Sequence, residues 1–127
     1  MATLKGLIRS RNVTADVTYG THYNEDFPNS NPWDVTLRYQ RRQMTVPFYT
    51  GSALTEDPTA YDVLYCLLSD ADVENYGSDF ESWASDLGYD PDSRKAEKIY
   101  NQCVAQTKKL HKLLGDDFDL FFEAERD

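Results

Sequence analysis

Trp33-Asp34-Val35-Thr36-Leu37-Arg38-Tyr39, then Gln40-Arg41-Arg42, then Gln43-Met44-Thr45-Val46-Pro47-Phe48-Tyr49, is the stretch that decides the fold of this 127-residue chain. Trp33, Val35, Leu37 and Tyr39 alternate with Asp34, Thr36 and Arg38, and Met44, Val46 and Phe48 continue the pattern. Side chains along a strand point to opposite faces in turn, so this alternation predicts two half-buried strands. Gln40-Arg41-Arg42 is then the tip of a hairpin. Pro47 has no N–H for a ladder bond, which places its strand at a sheet edge or ends it there.

Upstream, residues 2–9 and 13–19 read as two further short strands, the second from the alternation of Val13, Ala15, Val17 and Tyr19. Between them and Trp33, Gly20, Asn24, Pro28, Asn29, Ser30, Asn31 and Pro32 predict a long loop over 20–32. Downstream of Gly51 the period changes. Asp57 is a candidate N-cap, with Pro58 at the first helical position and Tyr61, Leu64, Leu67 and Leu68 as one apolar stripe. Phe80, Trp83, Ala84 and Leu87 predict a short helix starting near Ser78 or Asp79 and stopping at Gly88. Ala96, Ile99, Tyr100, Cys103, Thr107, Leu110 and Leu114 mark the buried face of a long helix that begins near Asp92 or Ser93. Lys108, Lys109, His111 and Lys112 suit the negative end of its dipole. Phe118, Phe121 and Phe122 belong to a last helix. The predicted class is α+β: one domain over residues 1–127, with a small antiparallel β-sheet in the strand-rich part, 1–50, packed against three to four α-helices in the helical part, 51–127.

The chain carries 13 Lys and Arg against 22 Asp and Glu, a net charge of −9. A charge of this sign disfavours direct contact with phosphates and favours partners with basic surfaces. It is also unevenly spread. Residues 1–50 sum to +2 and 91–127 to −1, while 51–90 hold no Lys or Arg and ten acids: Glu56, Asp57, Asp62, Asp70, Asp72, Glu74, Asp79, Glu81, Asp86 and Asp90. Like charges three or four residues apart on a helix repel by a few tenths of a kcal/mol per pair. Ordinary surfaces intersperse cations to relieve this. Forty residues without one predict a docking face, with Asp62, Asp70, Asp72, Glu74, Asp79, Glu81 and Asp86 as the partner-binding residues.

Other chemistry is sparse. Asp70, Asp72, Glu74 and Glu81 fall at positions 1, 3, 5 and 12 of a calcium loop, but position 6 is Asn75 where Gly is required, so no metal site is expected. Cys66 and Cys103 lie on predicted helices as small buried side chains. His22 beside Glu25 and Asp26 is the one arrangement offering acid–base chemistry, and His111 reads as solvated. No phosphate-binding, zinc or nucleophile motif is present, so neither catalysis nor a cofactor is expected. Arg38, Arg41 and Arg42, with Tyr39 and Tyr49, offer an alternative: a hairpin that grips single-stranded nucleic acid. The start of the chain, Met1-Ala2-Thr3-Leu4-Lys5, lacks a long apolar run, so neither a signal peptide nor a membrane span is expected.

Several stretches taken together carry a resemblance: Trp33 to Arg38, Met44 to Phe48, Gly51-Ser52-Ala53, Asp62-Val63-Leu64, Phe80 to Trp83, Leu87 to Ala96, and Leu114-Gly115. Over residues 33–127 the chain resembles a group of small uncharacterised proteins carried by bacteriophages and prophages. The resemblance implies expression in an infected bacterial cell, and the lack of a long apolar run in the N-terminal residues reads as cytoplasmic. By analogy with acidic phage inhibitors of the anti-CRISPR and anti-restriction kind, it implies a binding protein whose carboxylates mimic nucleic acid. The implied partner is a bacterial protein or ribonucleoprotein with a basic nucleic-acid-binding surface.

Overall fold

The period-two stretches form a meander in the computed structural model, which describes residues 3–20, 30–51, 56–77 and 79–126. Strands β1 (Thr14–Tyr19), β2 (Ser30–Tyr39) and β3 (Arg42–Gly51) pair antiparallel in the order β1-β2-β3. The register opposes Val17 to Val35, Val35 to Val46 and Leu37 to Met44, so apolar side chains from all three strands share one face. Trp33, Val35, Leu37, Tyr39, Met44 and Val46 are buried there. The hairpin turn is tighter than predicted. Arg42 pairs with Tyr39 and begins β3, leaving Gln40-Arg41 as a two-residue turn. Gln40 takes the strain with φ of 57°, the positive value such a turn requires. β3 is an edge strand, where Pro47 is tolerated.

The N-terminus corrects the sequence reading. Residues 2–9 were expected as a strand; Leu4–Ser10 is a helix, α1. Thr3 caps it by accepting the Gly6 N–H at 3.0 Å. Leu4 and Leu7 are buried and Ile8 packs beside them, spaced for one helical face. A stretch this short fits either period. Packing against the C-terminal helices decides it.

Four helices make up the C-terminal half: α2 (Ala60–Asp70), α3 (Phe80–Asp86), α4 (Arg94–Leu114) and α5 (Phe118–Arg126). None among the described residues is long and apolar enough to cross a membrane. The cap of α2 is Thr59 rather than Asp57. Thr59 accepts the Asp62 N–H, and the Asp62 carboxylate accepts the Thr59 N–H at 2.9 Å. This reciprocal pair satisfies two otherwise orphaned donors. Ser93 caps α4, as the sequence predicts.

Two apolar clusters result. The larger joins the sheet to α1, α2, the C-terminal half of α4 and α5, with Leu64, Leu68, Leu110, Leu114 and Phe121 fully buried. The smaller gathers Val73, Trp83, Ala84, Tyr100 and Cys103, where Trp83 stacks on Tyr89 at 5.4 Å and meets the edge of Tyr100 at 5.2 Å. Leu87, expected on the buried stripe of α3, instead closes that helix and is 55% exposed. A 3-10 helix, Ala71–Tyr76, runs straight on from α2 and carries the chain from the first cluster to the second.

Candidate functional site

The seven acids singled out from the sequence meet three different fates. Asp62 and Asp79 are committed to helix N-termini. Asp62 belongs to the box that starts α2, and Asp79 accepts the Ser82 N–H at 3.1 Å and the Ser82 hydroxyl at 2.8 Å. Those bonds hold the Asp79 carboxyl below the usual range, the hydroxyl bond contributing most. Asp72 and Glu74 are paired with cations from distant sequence. Asp72 meets the Arg126 guanidinium and accepts from the Asn75 amide, and Glu74 lies 2.5 Å from His111 Nε2. His111 also stacks on Phe118 at 3.7 Å, so it is a packed and paired residue rather than a merely solvated one.

Asp70, Glu81 and Asp86 make up the rest. The Asp86 carboxylate, near Tyr76, raises the tyrosine's ionisation above its ordinary value. Glu81 is exposed in the first turn of α3. Asp70, the last residue of α2, sits at the seam between the two apolar clusters. It lines a cleft of about 600 Å³ between the β3 edge, α2 and α4, and also an adjoining one of about 290 Å³ reaching Trp83 and Tyr76. As a residue Asp70 is exposed, yet loss of hydration on the cleft side pushes its carboxyl up to about 6.

The calcium-like spacing dissolves in three dimensions. Residues 71–76 are 3-10 helical, with Asp72 and Glu74 committed to Arg126 and His111. Among the described residues no three His, Cys, Asp or Glu side chains converge as a metal site. His22, Glu25 and Asp26 lie outside the described residues.

The thiols divide. Cys103 is buried, as expected, whereas Cys66 is exposed on the surface of α2. Both are free, and both line the Asp70 cleft. Burial raises the Cys103 thiol to about 12, and partial loss of hydration raises that of Cys66, with Asp70 adding to each. Neither is primed as a nucleophile.

The arginine hairpin is also largely self-satisfied. The Arg38 guanidinium donates to Asp16 at 2.9 Å and to Gln43. Arg42 donates to Gln40 at 2.9 Å and rests 5.8 Å from the Tyr39 ring centre. Arg41 projects from the turn. Tyr39 is only 1% exposed, and Tyr49 pairs with Pro32 at the opposite end of the sheet. The described hairpin therefore lacks the exposed aromatic platform that single-strand binding uses.

One network went unnoticed in the sequence. The Tyr39 hydroxyl donates to Asp117 at 2.6 Å, and Arg11 reaches the same oxygen at 3.4 Å. It ties the end of β2 to the residues flanking α1 and α5. Only the alternation that buries Tyr39 hinted that its hydroxyl needed a partner. No protein-family model, curated protein or solved structure matches the chain.

Proposed function

We propose that this chain is a non-enzymatic, phage-derived binding protein that inhibits a bacterial nucleic-acid-binding defence complex. Its acidic α2–α3 surface occupies the basic channel where DNA or RNA would lie. One observation carries the reading: the charge imbalance of residues 51–90 survives folding. Asp62, Asp70, Asp79, Glu81 and Asp86 have no cationic partner within ion-pair distance among the described residues. Arg126 and His111 compensate only Asp72 and Glu74. Unopposed carboxylates on a protein surface present the negative potential that a basic channel meets in phosphates. A basic channel gains the same counterion release from them. The resemblance to phage-carried proteins supports the cellular setting.

Capture from bacterial lysate on the immobilised protein tests this. The captured proteins should bind nucleic acid, be displaced by competitor duplex DNA, and be lost at high salt, because exposed charges are screened beyond about a Debye length. Glu81→Lys with Asp86→Lys caps no helix and should abolish capture while leaving the circular dichroism unchanged. Capture that ignores both salt and charge reversal would overturn the proposal, as would binding of labelled DNA by the protein alone.

A further inference from the structure

The cleft beside Asp70 has its own chemistry. It runs between the edge of β3 and helices α2 and α4, where Val46, Pro47, Phe48, Leu67 and Ile99 form an apolar part of the wall beside Thr50, Gln102, Gln106 and Lys109. Asp70, Tyr89, Ile99 and Cys103 line both this cleft and the smaller one next to it, so they stand where the two meet. The volume of about 600 Å³ is within the range of small-molecule sites. Asp70 is exposed as a residue, and only the side of its carboxyl that faces the cleft loses hydration. Lys109 is the other charged residue on the wall, and it makes no ion pair with Asp70.

We propose that this cleft binds an organic cation with an apolar stem, an alkylammonium whose nitrogen sits on the Asp70 carboxylate and whose carbon chain lies against Leu67, Phe48 and Ile99. Two features select that class. Asp70 is the one carboxylate that lines the cleft, and it asks for positive charge. The apolar part of the wall asks for a hydrocarbon body rather than a bare ion, since calcium and magnesium need several oxygen ligands at once. The site shares Asp70 with the acidic surface proposed above, but a small cation needs no protein partner, so either reading can fail alone.

Binding is coupled to protonation. The titratable and charged groups around Asp70 are Asp62 and Cys66 on α2, Asp72 and Tyr76 on the 3-10 helix, Cys103 and Lys109 on α4, Tyr49 on β3 and Tyr89 before α4. Asp72 is taken by Arg126, and both thiols stay protonated because loss of hydration raises them. The Asp70 carboxyl, pushed up to about 6, must lose its proton to receive an ammonium. Affinity therefore falls as pH drops through about 6.

The test is an NMR titration of the full chain with hexylammonium, hexanol and hexanoate. Hexylammonium should shift the amides of α2 and α4 that line the cleft, and bind about tenfold more tightly than hexanol, the gain expected of one charge-assisted contact. Hexanoate should be weakest. Lowering the pH from about 7.5 to about 5 should weaken hexylammonium alone, and Asp70→Asn should erase both its preference and its pH dependence. Equal binding of hexylammonium and hexanol to the unmodified protein overturns the proposal. So does a preference that persists in Asp70→Asn, or shifts confined to another surface. The isostere and pH comparisons on the unmodified protein decide the matter even if the variant folds poorly.

Discussion

Replacing Tyr39 with Phe removes one oxygen from the network that holds β2 to both ends of the chain. The ring stays. It is 1% exposed, meets Phe121 edge-on at 5.5 Å and lies beneath the Arg42 guanidinium, contacts that Phe reproduces. What is lost is an O–H···O bond of 2.6 Å to the Asp117 carboxylate. A hydrogen bond to a charged group contributes about 1.5–3 kcal/mol net. Asp117 is not stranded by the change: its side chain is 29% exposed and Arg11 still reaches it. Rehydration of the carboxylate therefore places the cost at the lower end, about 1.5–2 kcal/mol. Unfolding entropy of about 2.1 cal/mol/K per residue, over a chain of this length, converts that into a Tm lower by about 5–8 °C. Urea unfolding of Tyr39→Phe should show a lower midpoint with an unchanged slope, because the surface exposed on unfolding is the same. Combined with Asp117→Asn, it should give a coupling energy of about 1 kcal/mol. A loss under about 0.5 kcal/mol, or strict additivity of the two changes, would refute the claim that this bond anchors β2 to α5.

Gly115 ends α4 with φ of 58° and ψ of −132°, a conformation open to little but glycine, and a Cβ there would lie 2.5 Å from Arg42 Nη1. The arginine tip can swing aside but the backbone cannot, so Gly115→Ala should cost about 1–3 kcal/mol in urea unfolding, against no measurable change if the turn re-forms. Cys66 should react with a thiol reagent first, and slowly, because its thiol is raised; Cys103 should resist until the protein unfolds, and mass spectrometry of the labelled sites distinguishes this order from its reverse. The raised Asp70 carboxyl makes the folded state hold its proton more tightly than the unfolded chain, whose value is near 3.8. Stability from that proton is present below about 4 and is lost as pH rises through about 6. The full shift corresponds to about 3 kcal/mol, but water at the exposed rim screens it to on the order of 1 kcal/mol. The stability difference between the native protein and Asp70→Asn, measured by urea midpoints across this range, should therefore vary with pH; a constant difference would show that the carboxyl is not desolvated.

The hairpin was legible because burial imposes period two on it. Trp33, Val35, Leu37 and Tyr39 all fall on the packed face, and their polar neighbours do not. The stop of α3 and both bounds of α4 were legible from Ser93, Gly88 and Gly115, since capping acts within one turn of the chain. α1 was misread because Leu4, Leu7 and Ile8 are too few to fix a period. The cap of α2 was misplaced by two residues because Asp57-Pro58 and Thr59-x-x-Asp62 are both plausible starts, and only the second closes two hydrogen bonds at once.

By itself, then, the sequence determined the α+β class, the face each strand buries, and the concentration of acid between residues 51 and 90. These are properties of neighbours in the chain, set by side-chain period and local capping. The tertiary structure alone decided which of those acids keep their charge unopposed. Arg126 and His111 lie far along the chain from Asp72 and Glu74, and only the packing of α4 against the 3-10 helix and of α5 against α2 brings them within reach. It also decided that Asp70 stands at a seam between two apolar clusters, because desolvation depends on what surrounds a carboxyl in space and not on what flanks it in sequence.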